Sequence, residues 1–168
     1  MNIKEQYDAK RKNFIEKSLR FFECLSTDYG YDKPTHTESK QPNGVIIYDQ
    51  IEYINKAAER VVRVSNAYHP VDYGFEIRIV NTTPPETHLG GQLVYFVLKE
   101  DQDVEQDYLE KAASLLLSDF EKYLTGKEWF PVNESENSSN QTDNQQGQKS
   151  SWLEEIKFIF KRRRKNNS

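Results

Sequence analysis

The sequence predicts an α+β domain: an N-terminal helix, a four-stranded antiparallel meander and a C-terminal helix, with both helices on one face of the sheet. Apolar residues recur at helical spacing near both ends of residues 1–130, and they alternate with polar residues in between. The links between the alternating runs are too short for parallel crossovers. At 168 residues, the chain has about the length of one domain.

The first helix is predicted over residues 3–27, because apolar side chains return every three, four or seven positions between charged ones. Gly30 is the left-handed residue expected after its last turn. Residues 32–44 show no periodicity, so we expect a polar loop that ends in a tight turn at Asn43-Gly44.

Four strands are predicted where the pattern changes to period two with many β-branched residues. The third is the clearest, because the run from Phe75 to Ile79 is apolar at odd positions and charged at even ones, as one buried and one wet face require. The predicted bounds are 45–54, 59–67, 73–81 and 92–99.

A second helix is predicted over residues 102–125, which form one broad apolar stripe, and Gly126 should end it. Trp129 and Phe130 then close the globular domain, which we place at residues 1–130.

The remainder of the chain is predicted to be a tether and a short helix. Residues 131–150 are mostly Asn, Ser, Gln and acids, which predicts a disordered linker. Residues 151–165 begin with a capping box from Ser151 to Glu154 and continue as a basic amphipathic helix.

This terminal helix has the composition of a segment that contacts anionic membrane surfaces, with docking onto its own domain as the alternative. Contact with nucleic acid is not favoured, because the cationic run is short and has no interleaved aromatic residue. The residues expected to make the contact are Trp152, Ile156, Phe160, Arg162, Arg163 and Arg164.

Charge and composition narrow the function classes. Residues 133–168 carry five acids and seven bases, a net charge of +2, which leaves 16 bases and 22 acids, a net charge of -6, on residues 1–132. An acidic domain disfavours duplex binding and attracts a basic partner surface. The longest apolar run, Leu93 to Leu98, is too short to cross a bilayer, and no secretory signal precedes the first helix. We therefore expect a cytoplasmic protein, with a peripheral place at the inner membrane surface if the tail binds lipid.

No catalytic, cofactor or metal site is predicted. The histidines His36, His69 and His88 are widely separated, and no glycine-rich phosphate loop is present. Cys24 is the only cysteine and falls beside the apolar stripe of the first helix, where a buried, inert thiol is expected.

A protein-contact surface is predicted on the sheet, where tyrosines are dense and arginines occupy the wet face. The expected contact residues are Tyr53, Arg63, Tyr73 and Arg78. Glu52 and Glu76 leave an alternative open, since they could face each other as an acid/base pair or could pair with the arginines.

One further pattern is the order of seven short segments along the chain: Phe22–Leu25, Asp28–Tyr31, Ile51–Asn55, Arg60–Val64, Tyr108–Ala112, Tyr123–Lys127 and Trp129–Phe130. With this order, residues 14–130 resemble a group of small uncharacterised bacterial cytosolic proteins that are similar to the immunity-type proteins accompanying polymorphic toxins. No catalytic motif comes with this group, so the resemblance implies binding of a protein and assigns no functional residue.

The function expected from these features is non-enzymatic binding of a protein partner, as in an immunity-type protein that neutralises a toxin. One alternative is a small enzyme or ligand-binding protein that uses the polar sheet face. Another is an adaptor at a membrane surface that acts through the basic tail.

A peptide of residues 150–168 is expected to bind anionic vesicles and to gain helicity there, because its basic run is attracted to the lipid while its apolar face inserts. Fluorescence of Trp152 should shift to the blue, and salt or neutral lipid should weaken the shift. An unshifted spectrum with anionic vesicles at low salt would reject membrane binding in favour of docking onto the domain.

Overall fold

The computed structural model describes residues 2–68, 74–83 and 91–131. All of them belong to one compact unit, residues 1–131. The predicted terminal helix 151–165 and, apart from Pro131, the predicted linker 131–150 lie outside the described residues.

The N-terminal helical segment is interrupted. Helix α1 spans Ile3–Phe21 and begins with a capping box, in which the Asn2 side chain accepts a hydrogen bond from the backbone of Glu5 and the Glu5 side chain accepts one from Asn2. A one-turn helix, α2, follows at Cys24–Thr27. The prediction of a single helix over residues 3–27 is therefore wrong at its end.

The interruption brings two core side chains inward. Phe22 ends α1, and a new turn starts two residues later, so that both Phe22 and Leu25 are buried. The predicted stop at Gly30 is confirmed, because its φ of 73° is left-handed and Tyr31 donates its N–H to the carbonyl of Leu25 across the turn.

In the described ranges, five antiparallel strands follow in one sheet, and their spatial order is their sequence order, which confirms the meander. The four predicted strands end within one residue of their predicted bounds. The strands are β1 Thr35–Lys40, β2 Ile46–Asn55, β3 Arg60–Ala67, β4 Gly74–Asn81 and β5 Gln92–Leu98.

Strand β1 is the fifth strand, and it occupies the middle of the segment predicted to be a loop. All six of its residues are exposed, whereas each of the other four strands in the described ranges contains buried residues. Its backbone pairs with β2 through a turn in which Gly44 has a φ of 83°, as predicted for the Asn43-Gly44 pair. Pairing with a neighbour, rather than burial, makes this segment a strand.

Helix α3 spans Tyr108–Leu124 and begins later than the predicted residue 102. A 3-10 turn at Lys99–Asp101 and a left-handed residue, Gln106, with a φ of 57°, precede it. The predicted end is confirmed, because Gly126 follows with a φ of 73°. None of the helices in the described ranges is long and apolar enough to cross a bilayer.

The core lies between the helices and one face of the sheet, which we call the covered face. Phe14 of α1 and Phe75 of β4 pack edge to face with ring centroids 6.2 Å apart. Phe22, Ile77 and Leu116 are buried in the same cluster. Both helices therefore pack on one side, as predicted.

Neighbouring residues of β4 provide a stability test. Ile77 is fully buried, whereas the side chain of Arg78 is 30% exposed and points to the other face. Ile77→Ala should cost about 2–5 kcal/mol of unfolding free energy by leaving a cavity, while Arg78→Ala, which removes a partly exposed ion pair, should cost about 1 kcal/mol or less. Urea unfolding measures both, and equal losses would contradict the register.

Candidate functional site

The sheet face opposite α1 and α3, which we call the second face, carries polar and charged side chains in register. Glu52, Arg63 and Arg78 lie side by side on three neighbouring strands. Two residues along each strand, Gln50, Ser65 and Glu76 form a second row of cross-strand neighbours on the same face. Strand pairing thus assembles a flat charged group at the centre of the second face.

Two ion pairs form this group, the four-charge cluster of Glu52, Arg63, Glu76 and Arg78. Arg63 Nε donates to Glu52 at 2.8 Å, and Arg78 donates to both oxygens of Glu76 at 3.0 and 3.2 Å. The four side chains are between 23% and 36% exposed, so solvent and an approaching molecule can reach them. The cluster has no net charge, but its charges are fixed in position.

Arg63 and Arg78 are direct cross-strand partners. Like charges at opposed positions of an antiparallel pair are unfavourable, and each arginine here is offset by one carboxylate. Tyr48 lies on the same face and donates its hydroxyl to Gln50 at 2.8 Å. This combination of an amphipathic ring and fixed guanidinium groups is typical of protein-contact surfaces.

Of the predicted contact residues, Arg63 and Arg78 lie on the wet face as expected. The placement of Tyr53 there is wrong, because it is 0% exposed, lies opposite Val62 on the covered face and belongs to the core. Burial raises the pKa of the Tyr53 hydroxyl, and no atom of the described residues accepts its hydrogen bond. Alternate residues of a strand point to the same face, so Tyr53 points to the covered face as buried Ile51 does.

The other predicted contact residues lie outside the described residues. These are Tyr73 of the sheet and, in the tail, Trp152, Ile156, Phe160, Arg162, Arg163 and Arg164.

The alternative of an acid/base pair between Glu52 and Glu76 does not match the geometry. The two residues lie on β2 and β4 with β3 between them, and each carboxylate is bound to an arginine. The structure shows the other predicted arrangement, in which Glu52 pairs with Arg63 and Glu76 pairs with Arg78.

A polar cluster that the sequence analysis missed lies at the edge of the covered face. Asp49 of β2 is fully buried, and Arg11 of α1 donates to both of its oxygens at 2.7 and 2.8 Å. Two residues of β1 complete this Asp49 cluster: His36 Nε2 lies 2.9 Å from Asp49 Oδ1, and Glu38 accepts from Arg11 at 2.9 Å. The cluster therefore ties α1, β1 and β2 together.

Burial opposes the charge of Asp49, but hydrogen bonds from Arg11 and His36 outweigh it and hold the pKa of Asp49 below its ordinary value. The same bonds with Asp49 raise the pKa of Arg11. The buried ion pair thus stays charged throughout the physiological range. The sequence contains a signal for this ion pair. Asp49 alternates in step with Ile51 and so points to the covered face, where a buried carboxylate requires a partner.

A second polar group lies beside the Asp49 cluster, since Asn66 is the cross-strand partner of Asp49. The buried Asn66 amide contacts Gln102 at 3.1 and 3.3 Å and Gln106 at 3.2 Å, and Tyr108 donates to Gln106 at 2.6 Å. These bonds satisfy the polar groups that lead into α3, which indicates a structural role.

Within the described ranges, no three His, Cys, Asp or Glu side chains converge as a metal site would need. Burial raises the pKa of the half-buried Cys24 thiol, which disfavours the reactive thiolate. Comparison with known proteins finds no matching family model, no matching curated protein and no matching solved structure.

The Asp49 cluster predicts acid sensitivity. A carboxylate whose pKa is lowered in the folded state contributes all of its stabilisation above the unfolded-state pKa of about 3.9, and loses it as pH falls through the folded-state value. Asp49→Asn should therefore flatten the loss of stability below about pH 4. At neutral pH its cost should not exceed about 3–5 kcal/mol, because Arg11 keeps some contact with solvent.

Glu38→Gln is the matched control, since it makes the same acid-to-amide change in a more exposed member of the cluster. Thermal and urea unfolding between pH 2 and 7, a range of about five units around the ordinary carboxyl pKa, measure both variants. A pH profile of Asp49→Asn that matches the unmodified protein would contradict the assigned role.

Proposed function

We propose that this protein is a non-enzymatic protein-binding module and that its contact surface is the second face of the sheet, centred on the four-charge cluster. The observation that carries the proposal is the in-register placement of Arg63 beside Arg78. Each guanidinium is partly exposed and held in place by a carboxylate. Arginines fixed in this way can donate paired hydrogen bonds to a partner without first losing side-chain freedom.

The fold itself does not require charges at these positions. Two residues away on the same two strands, Val61 and Val80 are cross-strand partners on the second face, and they are 7% and 5% exposed. Apolar residues therefore fit this face of β3 and β4. The opposed arginines carry a repulsion that an apolar pair would avoid, which supports a role in recognition rather than in folding.

The partner class comes from charge and from resemblance. Residues 1–132 carry a net charge of -6, with 16 bases and 22 acids, which attracts a basic protein surface over a distance of about 8–10 Å at physiological salt. Glu52 and Glu76 can accept hydrogen bonds from such a surface while they keep their bonds to Arg63 and Arg78, because a carboxylate has about four acceptor positions. The resemblance to immunity-type proteins makes a toxin the proposed partner, bound and thereby neutralised.

The test is binding to the product of the open reading frame next to the gene for this chain, measured by isothermal titration calorimetry. Replacing Arg63 and Arg78 together by Ala should raise the Kd about tenfold or more, because central interface arginines are frequent hot spots. This change corresponds to a loss of about 1.4 kcal/mol or more of binding free energy.

Lys12→Ala is the matched control, since it also removes a cation but from an exposed position on α1, where 71% of the side chain is accessible. Its Kd should be unchanged. Circular dichroism checks that all variants remain folded. Loss of affinity in Lys12→Ala alone, or an unchanged Kd in the double variant, would contradict the second face as the contact surface.

A further inference from the structure

We infer that the outer edge of β1 is a self-association surface that pairs with β1 of a second copy of this chain, in an antiparallel register centred on Thr37. This interface is distinct from the second face and does not depend on the proposed function. It follows from the exposure of β1, the direction of its backbone groups and its sequence.

The first observation is that β1 ends the sheet. Its inner edge pairs with β2, and no strand of the described residues pairs with its outer edge. All six residues are exposed, and within the described part of the chain no other strand lies against this edge. An edge strand presents a row of backbone donors and acceptors that can pair with another strand.

The second observation is which residues present those groups. The N–H of Asp32 bonds to the carbonyl of Ile54, so Ile54 faces the β1 side of β2. Alternate residues of a strand face the same side, so Glu52 and Gln50 also face β1 and bond to their partners Thr35 and Thr37.

The residues between those bonded positions therefore point their backbone groups outward. They are His36 and Glu38, whose N–H and C=O groups form the free edge of β1. Antiparallel pairing between two copies must match outward residues with outward residues, which leaves few possible registers.

Side-chain chemistry selects one of those registers. Centring on Glu38 would place two carboxylates opposite each other, and centring on His36 would place two imidazoles opposite each other. Centring on Thr37 instead places His36 opposite Glu38 of the second copy, twice, and Thr37 opposite Thr37. Thr–Thr pairs across strands are favourable and like charges directly opposite are not, whereas an imidazole opposite a carboxylate carries no such repulsion.

Two neighbouring features are compatible with this pairing. Pro34, which has no N–H to donate, lies just before β1 and interrupts nothing within it. Lysines in the middle of an edge strand discourage pairing with another strand. The lysine of β1, Lys40, is instead its last residue, where it pairs with Glu38 at 2.7 Å. One six-residue strand per chain is a small interface, so we expect weak, concentration-dependent association.

Sedimentation equilibrium of the full chain, from micromolar to millimolar concentration, tests the inference. The average mass should rise from that of one chain toward that of two. Glu38→Pro should abolish the rise, because proline removes an outward N–H and leaves the bonds to β2 intact. Glu38→Ala is the matched control: it loses the same contact with Arg11 but keeps the N–H, and it should retain association weakened several-fold.

Amide hydrogen exchange gives a residue-level readout on the unmodified protein. Exchange at His36 and Glu38 should slow as concentration rises, whereas exchange at Thr37, which already bonds to β2, should stay constant. A mass that stays that of one chain at all concentrations would overturn the inference. Association that persists in Glu38→Pro, or protection that appears elsewhere instead, would also overturn it.

Discussion

Packing of both helices on one face of the sheet is the constraint on which the other features depend. Helices α1 and α3 cover a single face, so each strand residue is placed by its parity against either the core or the second face. Phe75 and Ile77 thereby become core, and Glu76 between them becomes surface. A shift of one residue in any strand would exchange the two sets, which fixes the register strongly.

The alternation of side chains also places Asp49 and Arg60 on the covered face, beneath the helices. Each of them binds a helix and holds it against the sheet. At one end Asp49 receives Arg11 from α1. At the other end Arg60 of β3, 5% exposed, donates to the carbonyls of Tyr123 and Glu128 at 3.0 and 3.2 Å and lies 4.8 Å from the ring of Trp129. A cation is favourable at the C-terminal end of a helix, so Arg60 stabilises the end of α3 by donating to the carbonyl of Tyr123.

The sequence predicts what burial dictates and misses what backbone pairing or turn geometry dictates. The four strands and the meander are predictable because their alternation records two different faces. Strand β1 is not, because all its residues meet water and its side chains carry no period. The alternation of side chains along each strand predicts that Arg63 and Arg78 lie on the second face. The same alternation places Tyr53 on the covered face with Ile51. The prediction of Tyr53 as a contact residue is wrong because it relied on the residue type instead. Predicting the Asp49 cluster requires knowing both that Asp49 points to the covered face and that α1 places Arg11 beside it. The second of these depends on tertiary packing, which the sequence pattern does not record.

The two proposed surfaces are geometrically related through β1. A twofold axis perpendicular to the sheet keeps the second faces of both copies on the same side, because antiparallel pairing extends a sheet without turning it over. Arg63 lies on the third strand from the shared edge, so five strand spacings of about 4.8 Å would separate the two four-charge clusters by about 24 Å. A partner with two matching sites would then bind both clusters at once, and the second contact would be intramolecular. Weak association at the edge would in that case raise affinity at the second face, because a bivalent partner stabilises the dimer that it binds.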